Sequence, residues 1–189
     1  KNFCKENKIQ SVGLSDTSNL CGALEFAENI SKVGTQPIIG TQINFKFGDT
    51  VGLIPLIALN SIGYKTIVEL SSKSYLENGD EIEPNLKLDV LYNKPEGVVV
   101  MSGSINGLFG KLFDKGKFED ISNIYNKISE TYKDKFYIEI QRHNDHNEKL
   151  FEKFNLQHSL KAKIPIIATN ETFYLNKNMH EAHDALLCI

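Results

Sequence analysis

Cysteine is scarce in this 189-residue chain: three residues, Cys4, Cys21 and Cys188, scattered and odd in number. No Cys-x-x-Cys spacing occurs, which argues against a disulfide framework or a zinc knuckle and leads us to expect small buried hydrophobes in a reducing compartment. Long apolar runs are also missing. The longest, Leu53–Leu59, contains Pro55 and falls far short of the roughly 18 residues that a membrane span needs. Positive charge is not in excess. The formal net charge is −3, so the segment as a whole does not present a strongly basic nucleic-acid surface. The opening residues Lys1-Asn2-Phe3-Cys4-Lys5-Glu6-Asn7 are polar and carry no signal-peptide pattern, which gives a cytoplasmic expectation with no membrane partner.

What is present fits one soluble domain with a sizeable core: 41% hydrophobic and 24% charged residues. The start reads as the last turns of a helix feeding a strand at Ser11–Leu14. The close, His183–Ile189, reads as an apolar helix face without a terminator. Both features suggest a single domain, residues 1–189, excerpted from a longer chain.

Strand and helix patterns alternate. Val12-Gly13-Leu14 predicts a short buried strand. Ser18–Val33 places Leu20, Ala23, Leu24, Ala27 and Ile30 at helical spacing, with Gly34 suited to the C-cap. A strand begins at Pro37-Ile38-Ile39 and runs toward Phe47, and Leu53–Leu59 is a second apolar strand. Gly63–Leu76 predicts a helix with Tyr64, Ile67, Val68 and Tyr75 on one side, stopped by the turn Asn78-Gly79-Asp80. Residues 78–95 are polar and turn-rich, with weak helical character at Asn85–Leu91. Val98–Met101 is a strand, and Phe118–Tyr132 is a helix with the stripe Phe118, Ile121, Ile124, Tyr125, Ile128 and Tyr132. Phe136–Ile140, Glu148–Lys161 and Ile164–Ala168 complete the series as strand, helix and strand. This alternation predicts an α/β fold with a parallel sheet, open or closed into a barrel. In such folds chemistry gathers at the carboxyl ends of strands.

Just after the apolar runs stand Ser15-Asp16-Thr17, Gly40-Thr41-Gln42, Ser102-Gly103-Ser104, Gln141-Arg142-His143 and Thr169-Asn170-Glu171-Thr172-Phe173. Ser11–Gly22, Lys32–Gly40, Gly63-Tyr64-Lys65, Ser74–Glu77, Met101-Ser102-Gly103, Glu139–His143, Ala168-Thr169-Asn170 and Ala182–Ile189 follow one another in an order that resembles the PHP (polymerase and histidinol phosphatase) domain. The resemblance is to the version that opens the bacterial replicative DNA polymerase III alpha subunit, and it covers nearly the whole chain. It implies a distorted seven-stranded β/α barrel, of which the first strand, with its His-x-His motif, would precede Lys1. Active relatives hold up to three divalent metals and hydrolyse phosphoesters.

Carried over position by position, the resemblance implies a dismantled metal site. The usual Asp-His is Asp16-Thr17. A usual glutamate is Gln42, Leu53 stands where a histidine leads into the next strand, and Ser104 replaces a frequent cysteine. His143 is retained. The closing Asp-x-His is Glu171-Thr172-Phe173. Asp16, His143 and Glu171 are thus vestigial metal candidates, and no catalytic or cofactor-binding residue is intact. A polynuclear centre needs several carboxylates and imidazoles, and Phe173 and Leu53 cannot ligate. Without such a centre no bound water reaches a nucleophilic pKa near 7. A single weakly held Mg²⁺ or Zn²⁺ remains compatible with the set.

Each residue also has an ordinary structural reading. Asp16 suits an N-cap or turn before the Ser18 helix. His143 suits a hydrogen-bonded pocket position, and Glu171 a partner for Arg142. His180 and His183 would share a helical face without a nearby carboxylate to complete a site, and His146 and His158 read as solvent-facing. Ser102–Gly107 lacks the Gly-Lys-Ser/Thr of a phosphate-binding loop, which leaves a phosphate cradle with Lys111 and Lys115 weakly supported. No Gly-x-Ser-x-Gly elbow supports Ser102 or Ser104 as a nucleophile. Lys133-Asp134-Lys135 reads as a solvated loop.

The resemblance implies a DNA-directed DNA polymerase as the parent protein, with its Mg²⁺ in a site outside these residues. Implied partners are a proofreading 3′–5′ exonuclease subunit docked on this domain, other replicase subunits, and primer-template DNA reached through the parent. The competing reading is an active metal-dependent phosphoesterase, either proofreading or histidinol-phosphatase-like. A third, independent DNA binding, is opposed by the net charge of −3.

Overall fold

A computed structural model describes residues 1–78, 83–93 and 95–188. A short helix α1 (Asn2–Glu6) leads into β1 (Ser11–Thr17), then α2 (Ala23–Ser31), β2 (Gln36–Phe47), β3 (Thr50–Ala58) and α3 (Ser61–Leu76). A two-residue strand β4 (Leu86–Lys87) and a 3₁₀ turn over Leu88–Asn93 precede β5 (Val98–Met101). The second half runs α4 (Leu108–Asp114), α5 (Phe118–Tyr132), β6 (Phe136–Ile140), α6 (Glu148–Ala162), β7 (Ile166–Ala168) and α7 (His180–Leu187).

The strands form one curled, half-barrel sheet in the order β1-β2-β3-β5-β6-β7, with β4 beside β2. The α/β, barrel-type expectation therefore holds, but the sheet is mixed rather than wholly parallel. β3 runs antiparallel to both β2 and β5, whereas β1·β2, β5·β6 and β6·β7 are parallel. The cause is the connection: only Gly48 and Asp49 separate Phe47 from its partner Thr50. A parallel pair needs a crossover of a dozen or more residues, and a two-residue link can make only a hairpin. Gly48 supplies the positive φ (59°) that the tight turn requires.

Alternation along the strands separates two faces. Ile43, Phe45, Ile54, Leu56, Val98, Val100, Phe136 and Ile138 point to a core roofed by Ile67 and Leu70 of α3, Leu108, Phe109 and Leu112 of α4, and Ile121, Tyr125 and Ile128 of α5. At fully buried positions each such side chain is worth about 1.5–3 kcal/mol. The opposite face of the sheet curls around a cavity. Helix α3 starts on Asn60, whose side-chain oxygen accepts from the Ile62 and Gly63 N–H groups, each at 3.0 Å. Its first turn lies against the backbone of Gly97, so closely that a Cβ at Gly63 would collide with the Gly97 carbonyl oxygen.

Several expectations need correction. Helix α2 starts at Ala23, not Ser18, because Ser18 sits at φ 58° and donates its N–H to Gln42 O, extending the β1–β2 ladder. Asn19 then turns the chain by accepting from Cys21 N–H at 3.0 Å. The buried side of α3 is Gly63, Ile67, Leu70 and Ser74, while Tyr64, Val68 and Tyr75 lie at the surface. Residues 86–87 form a strand where weak helix was expected, with the helical part following as a 3₁₀ turn. Helix α4 was not anticipated from the sequence. Cys4 is buried, but Cys21 and Cys188 are exposed; all three are free thiols. Most of the turn expected at Asn78-Gly79-Asp80 lies outside the described residues.

Candidate functional site

The concave side of the sheet encloses a cavity of about 640 Å³. β1 forms one wall, Gln42 of β2 and Pro55 and Ile57 of β3 the floor, and Met101, Ser104, Glu139, Gln141 and residues 169–173 the far wall. Among the described residues, its lining carries three carboxylates, Asp16, Glu139 and Glu171, and no lysine, arginine or histidine.

The most densely hydrogen-bonded part of this wall is built on Glu139. This residue lies inside the otherwise apolar strand β6 and is only 4% exposed. Its Oε2 accepts from the Gly103 N–H at 3.1 Å, and its Oε1 accepts from Gln141 Nε2 at 3.0 Å and from the Thr169 hydroxyl. Gln141 Nε2 also donates to Thr169 Oγ1 at 3.1 Å. The backbone N–H of Glu139 donates to Ser102 Oγ at 2.9 Å. A buried carboxylate persists only when hydrogen bonds replace its hydration, and these three donors do so with neutral groups. Sequence reasoning did not single out Glu139. The readable signal was a glutamate inside the apolar run Phe136–Ile140, since glutamate is almost never fully buried without partners.

Across the cavity mouth, Gln42 Nε2 donates to Glu171 Oε1 at 3.2 Å. The structure thus brings Gln42 and Glu171 together and places Asp16 on the same cavity. Glu171 does not pair with Arg142, as one reading expected. Arg142 instead makes a two-pronged ion pair with Glu152, at 3.0 and 2.7 Å, which raises the arginine pKa and lowers that of the glutamate. Nor does Asp16 cap α2, whose N-cap is Gly22 with no side-chain bond. Asp16 Oδ2 lies close beside Gly22, 3.2 Å from where a Cβ would stand.

His143 is exposed and is not among the cavity-lining residues. Its backbone N–H, with that of Asn144, is held by the buried Glu148 carboxylate at 2.8–3.0 Å. Thr17 and Phe173 line the cavity, and Ser104 lies on its wall with its Oγ accepting from Asn106 N–H at 3.3 Å. Leu53 pairs with Asn44 and does not line the cavity; the residue opposite Gln42 is Pro55. His180 and His183 do share a face of α7, both against the Tyr174 ring with centroids 5.9 and 5.5 Å away. His158 is not solvent-facing. It is half-buried against Tyr125 and Phe154, and burial, with Lys161 adding to it, lowers its pKa. Lys115 and Lys117 converge on Asp49 at the tip of the β2–β3 hairpin, at 3.4 and 3.2 Å, and Lys111 donates to Val51 O. They clamp the hairpin, and each has a protein partner.

Among the described residues no three histidine, cysteine, aspartate or glutamate side chains converge as a metal-binding group. The donors do not fit a polynuclear centre: one glutamate is consumed by backbone and side-chain donors, another is bonded to an amide, and no imidazole faces the space. The cavity's lining mixes carboxylate and amide groups with apolar side chains such as Val12, Ile57 and Phe173. Among the described residues no helix is long and apolar enough to cross a membrane.

A family model described as "PHP domain" matches residues 2–143. DNA polymerase III subunit alpha of Rickettsia conorii is 35% identical over 188 residues, covering 99% of this chain and 16% of that protein. The same subunit of Caulobacter vibrioides is 33% identical over 192 residues, covering 97% and 17%. The chain therefore spans about a sixth of the length of these relatives. A crystal structure from Bifidobacterium adolescentis, of a protein described as a metal-dependent phosphoesterase, aligns with a TM-score of 0.44 at 11% identity, covering 99% of this chain and 88% of that one.

Proposed function

The chain belongs to the PHP domain family, and on that premise we propose that it is the PHP domain of a DNA polymerase III alpha subunit, acting as a non-catalytic scaffold in chromosomal replication. The parent protein would extend primer-template DNA with Mg²⁺ bound outside these residues, alongside other replicase subunits. The domain would hold a proofreading 3′–5′ exonuclease subunit on its surface, in a cytoplasmic assembly. Relatives of that name at 33–35% identity over nearly the whole chain support the setting.

The observation that carries the scaffold reading is the Gln42–Glu171 hydrogen bond. Where the family resemblance leads one to expect two carboxylate donors for metals, one is an amide, and the other carboxylate accepts from it. An amide offers no negative charge to offset a cation, and the exposed 3.2 Å bond gives the Glu171 oxygen a neutral protein donor. A neutral donor in place of a metal ligand supports a barrel whose role is assembly rather than metal chemistry.

Surface plasmon resonance of this chain against its cognate exonuclease subunit tests the docking role. Saturable binding at or below micromolar concentration is expected, and no binding in that range overturns it. The second reading, an active phosphoesterase, draws on Asp16 and Glu171 facing one cavity. Elemental analysis of the purified chain separates the two: two or more tightly held divalent ions per chain, with hydrolysis of a generic phosphodiester, would establish the second reading and sink the first.

A further inference from the structure

A second, much smaller cavity lies between α6 and the end of β6. It is lined by Ser104, Ile105, Glu139, Gln141, Glu148 and Asn155 among others, and its volume is about 10 Å³. That is room for about one water-sized guest. Two polar atoms on its lining residues are buried without a partner: Asn155 Nδ2 and Gln141 Oε1. Asn155 is 1% exposed, so its orphaned amide hydrogens have no route to bulk solvent. Leaving such a group unsatisfied costs about 1–3 kcal/mol, and native interiors rarely tolerate it.

The Gln141 amide is fixed in orientation by its other bonds, and Asn155 is placed with its oxygen toward the Tyr125 hydroxyl. Gln141 donates through Nε2 to the Glu139 carboxylate and to Thr169, and turning the amide over would set its oxygen against that carboxylate. Asn155 Oδ1 accepts from the Tyr125 hydroxyl at 3.1 Å. Tyr125 is fully buried, which pushes its pKa upward and keeps the phenol proton in place to donate. The cavity therefore presents one donor, from Asn155, and one acceptor, from Gln141. A cation cannot accept from Nδ2, an apolar guest would leave both groups unmet, and only a guest that both accepts and donates satisfies them.

We propose that this cavity is the site of one structural water molecule that accepts from Asn155 Nδ2 and donates to Gln141 Oε1. The water joins Tyr125 and Asn155 on the helical side to Gln141, Glu139 and Thr169 on the wall of the large cavity. Helix α6 is thereby joined to the wall of the large cavity through a single solvent molecule.

A crystal structure of the chain at about 1.5 Å resolution, with a rubidium soak, tests this directly. The expected result is a single peak within hydrogen-bonding distance, about 2.7–3.2 Å, of both atoms and without anomalous signal. An empty cavity overturns the proposal, and so does a rubidium peak there. Water ¹⁷O relaxation dispersion gives a second reading in solution. Asn155→Leu should lose one long-lived water relative to the wild type, and a variant that folds but keeps the full count refutes the assignment. Should Asn155→Leu fail to fold, the wild-type density decides alone.

Discussion

Replacing Glu139 with alanine removes the acceptor around which the far wall of the large cavity is built. The carboxylate takes bonds from the Gly103 N–H, Gln141 Nε2 and the Thr169 hydroxyl. Hydrogen bonds to charged groups contribute about 1.5–3 kcal/mol each, giving an upper figure near 9 kcal/mol if all three donors were stranded. They would not all be. Gln141 and Thr169 line the large cavity and keep their mutual bond at 3.1 Å, so solvent can replace the lost acceptor for both. Gly103 N–H, bonded at a buried site, has no such recourse. The expected loss for Glu139→Ala is therefore about 3–4 kcal/mol, one stranded donor plus two weakened ones. For a chain of this size that lowers Tm by about 6–16 °C. Glu139→Gln keeps an oxygen for Gly103 but sets an amide against Gln141 Nε2, and should lose about 1–2 kcal/mol. Urea denaturation monitored by circular dichroism measures both. A Glu139→Ala chain within about 0.5 kcal/mol of wild type, the range of inert surface changes, would refute the claim that this carboxylate organises the wall.

Gly63→Ala should destabilise by about 1–3 kcal/mol or more, because the new methyl meets the rigid Gly97 backbone, whereas Gly13→Ala, with its nearest neighbour at 4.0 Å, should be tolerated; thermal melts of the pair compare them. Asp49 is held at a pKa of about 2, first by Lys117, then by Thr50 and Lys115. The hairpin clamp should thus be complete above pH about 4, the unfolded value, and be lost as pH falls through 2. Carboxyl ¹³C titration checks this, and the transition should be absent in Asp49→Asn. Burial lowers the His158 pKa, so the unfolded chain binds the proton more readily. That stabilisation is fully present above about pH 6.5 and declines as pH falls below it. Denaturation at pH 7 and pH 5 should show a smaller difference for His158→Phe than for wild type.

Where one force dominated, the sequence was legible. Phe118–Tyr132 and Val98–Met101 have the bounds expected of them, because a single apolar stripe and an uninterrupted β-branched run admit one solution each. Helix α4 was hidden by Gly107, Gly110 and Gly116, although Leu108 and Leu112, Phe109 and Phe113 stand four apart. Helix α3 was found but turned, since its sequence carries apolar residues on two sides and only tertiary packing selects Ile67 and Leu70. The strand-end rule located Asp16, Gln141 and Glu171 on one cavity, whereas Gln42 reaches it from inside β2, and the rule presumes parallel strands. Because β3 runs the other way, its cavity residues, Pro55 and Ile57, come from inside the strand, and Leu53 was assigned a place it does not hold. Glu139 was missed because two of its three donors, Gly103 and Thr169, come from distant segments.

The two-residue hairpin between β2 and β3 also bears on the order in which the molecule assembles. The pairing of β2 with β3 closes almost no loop, so it costs little chain entropy and can form early. The Gln42–Glu171 bond joins residues 129 positions apart, and nothing local helps it. The floor of the large cavity is therefore laid down long before its mouth is tied, and a chain emerging from the ribosome would expose Gln42 to solvent until the last tenth of this segment had been made.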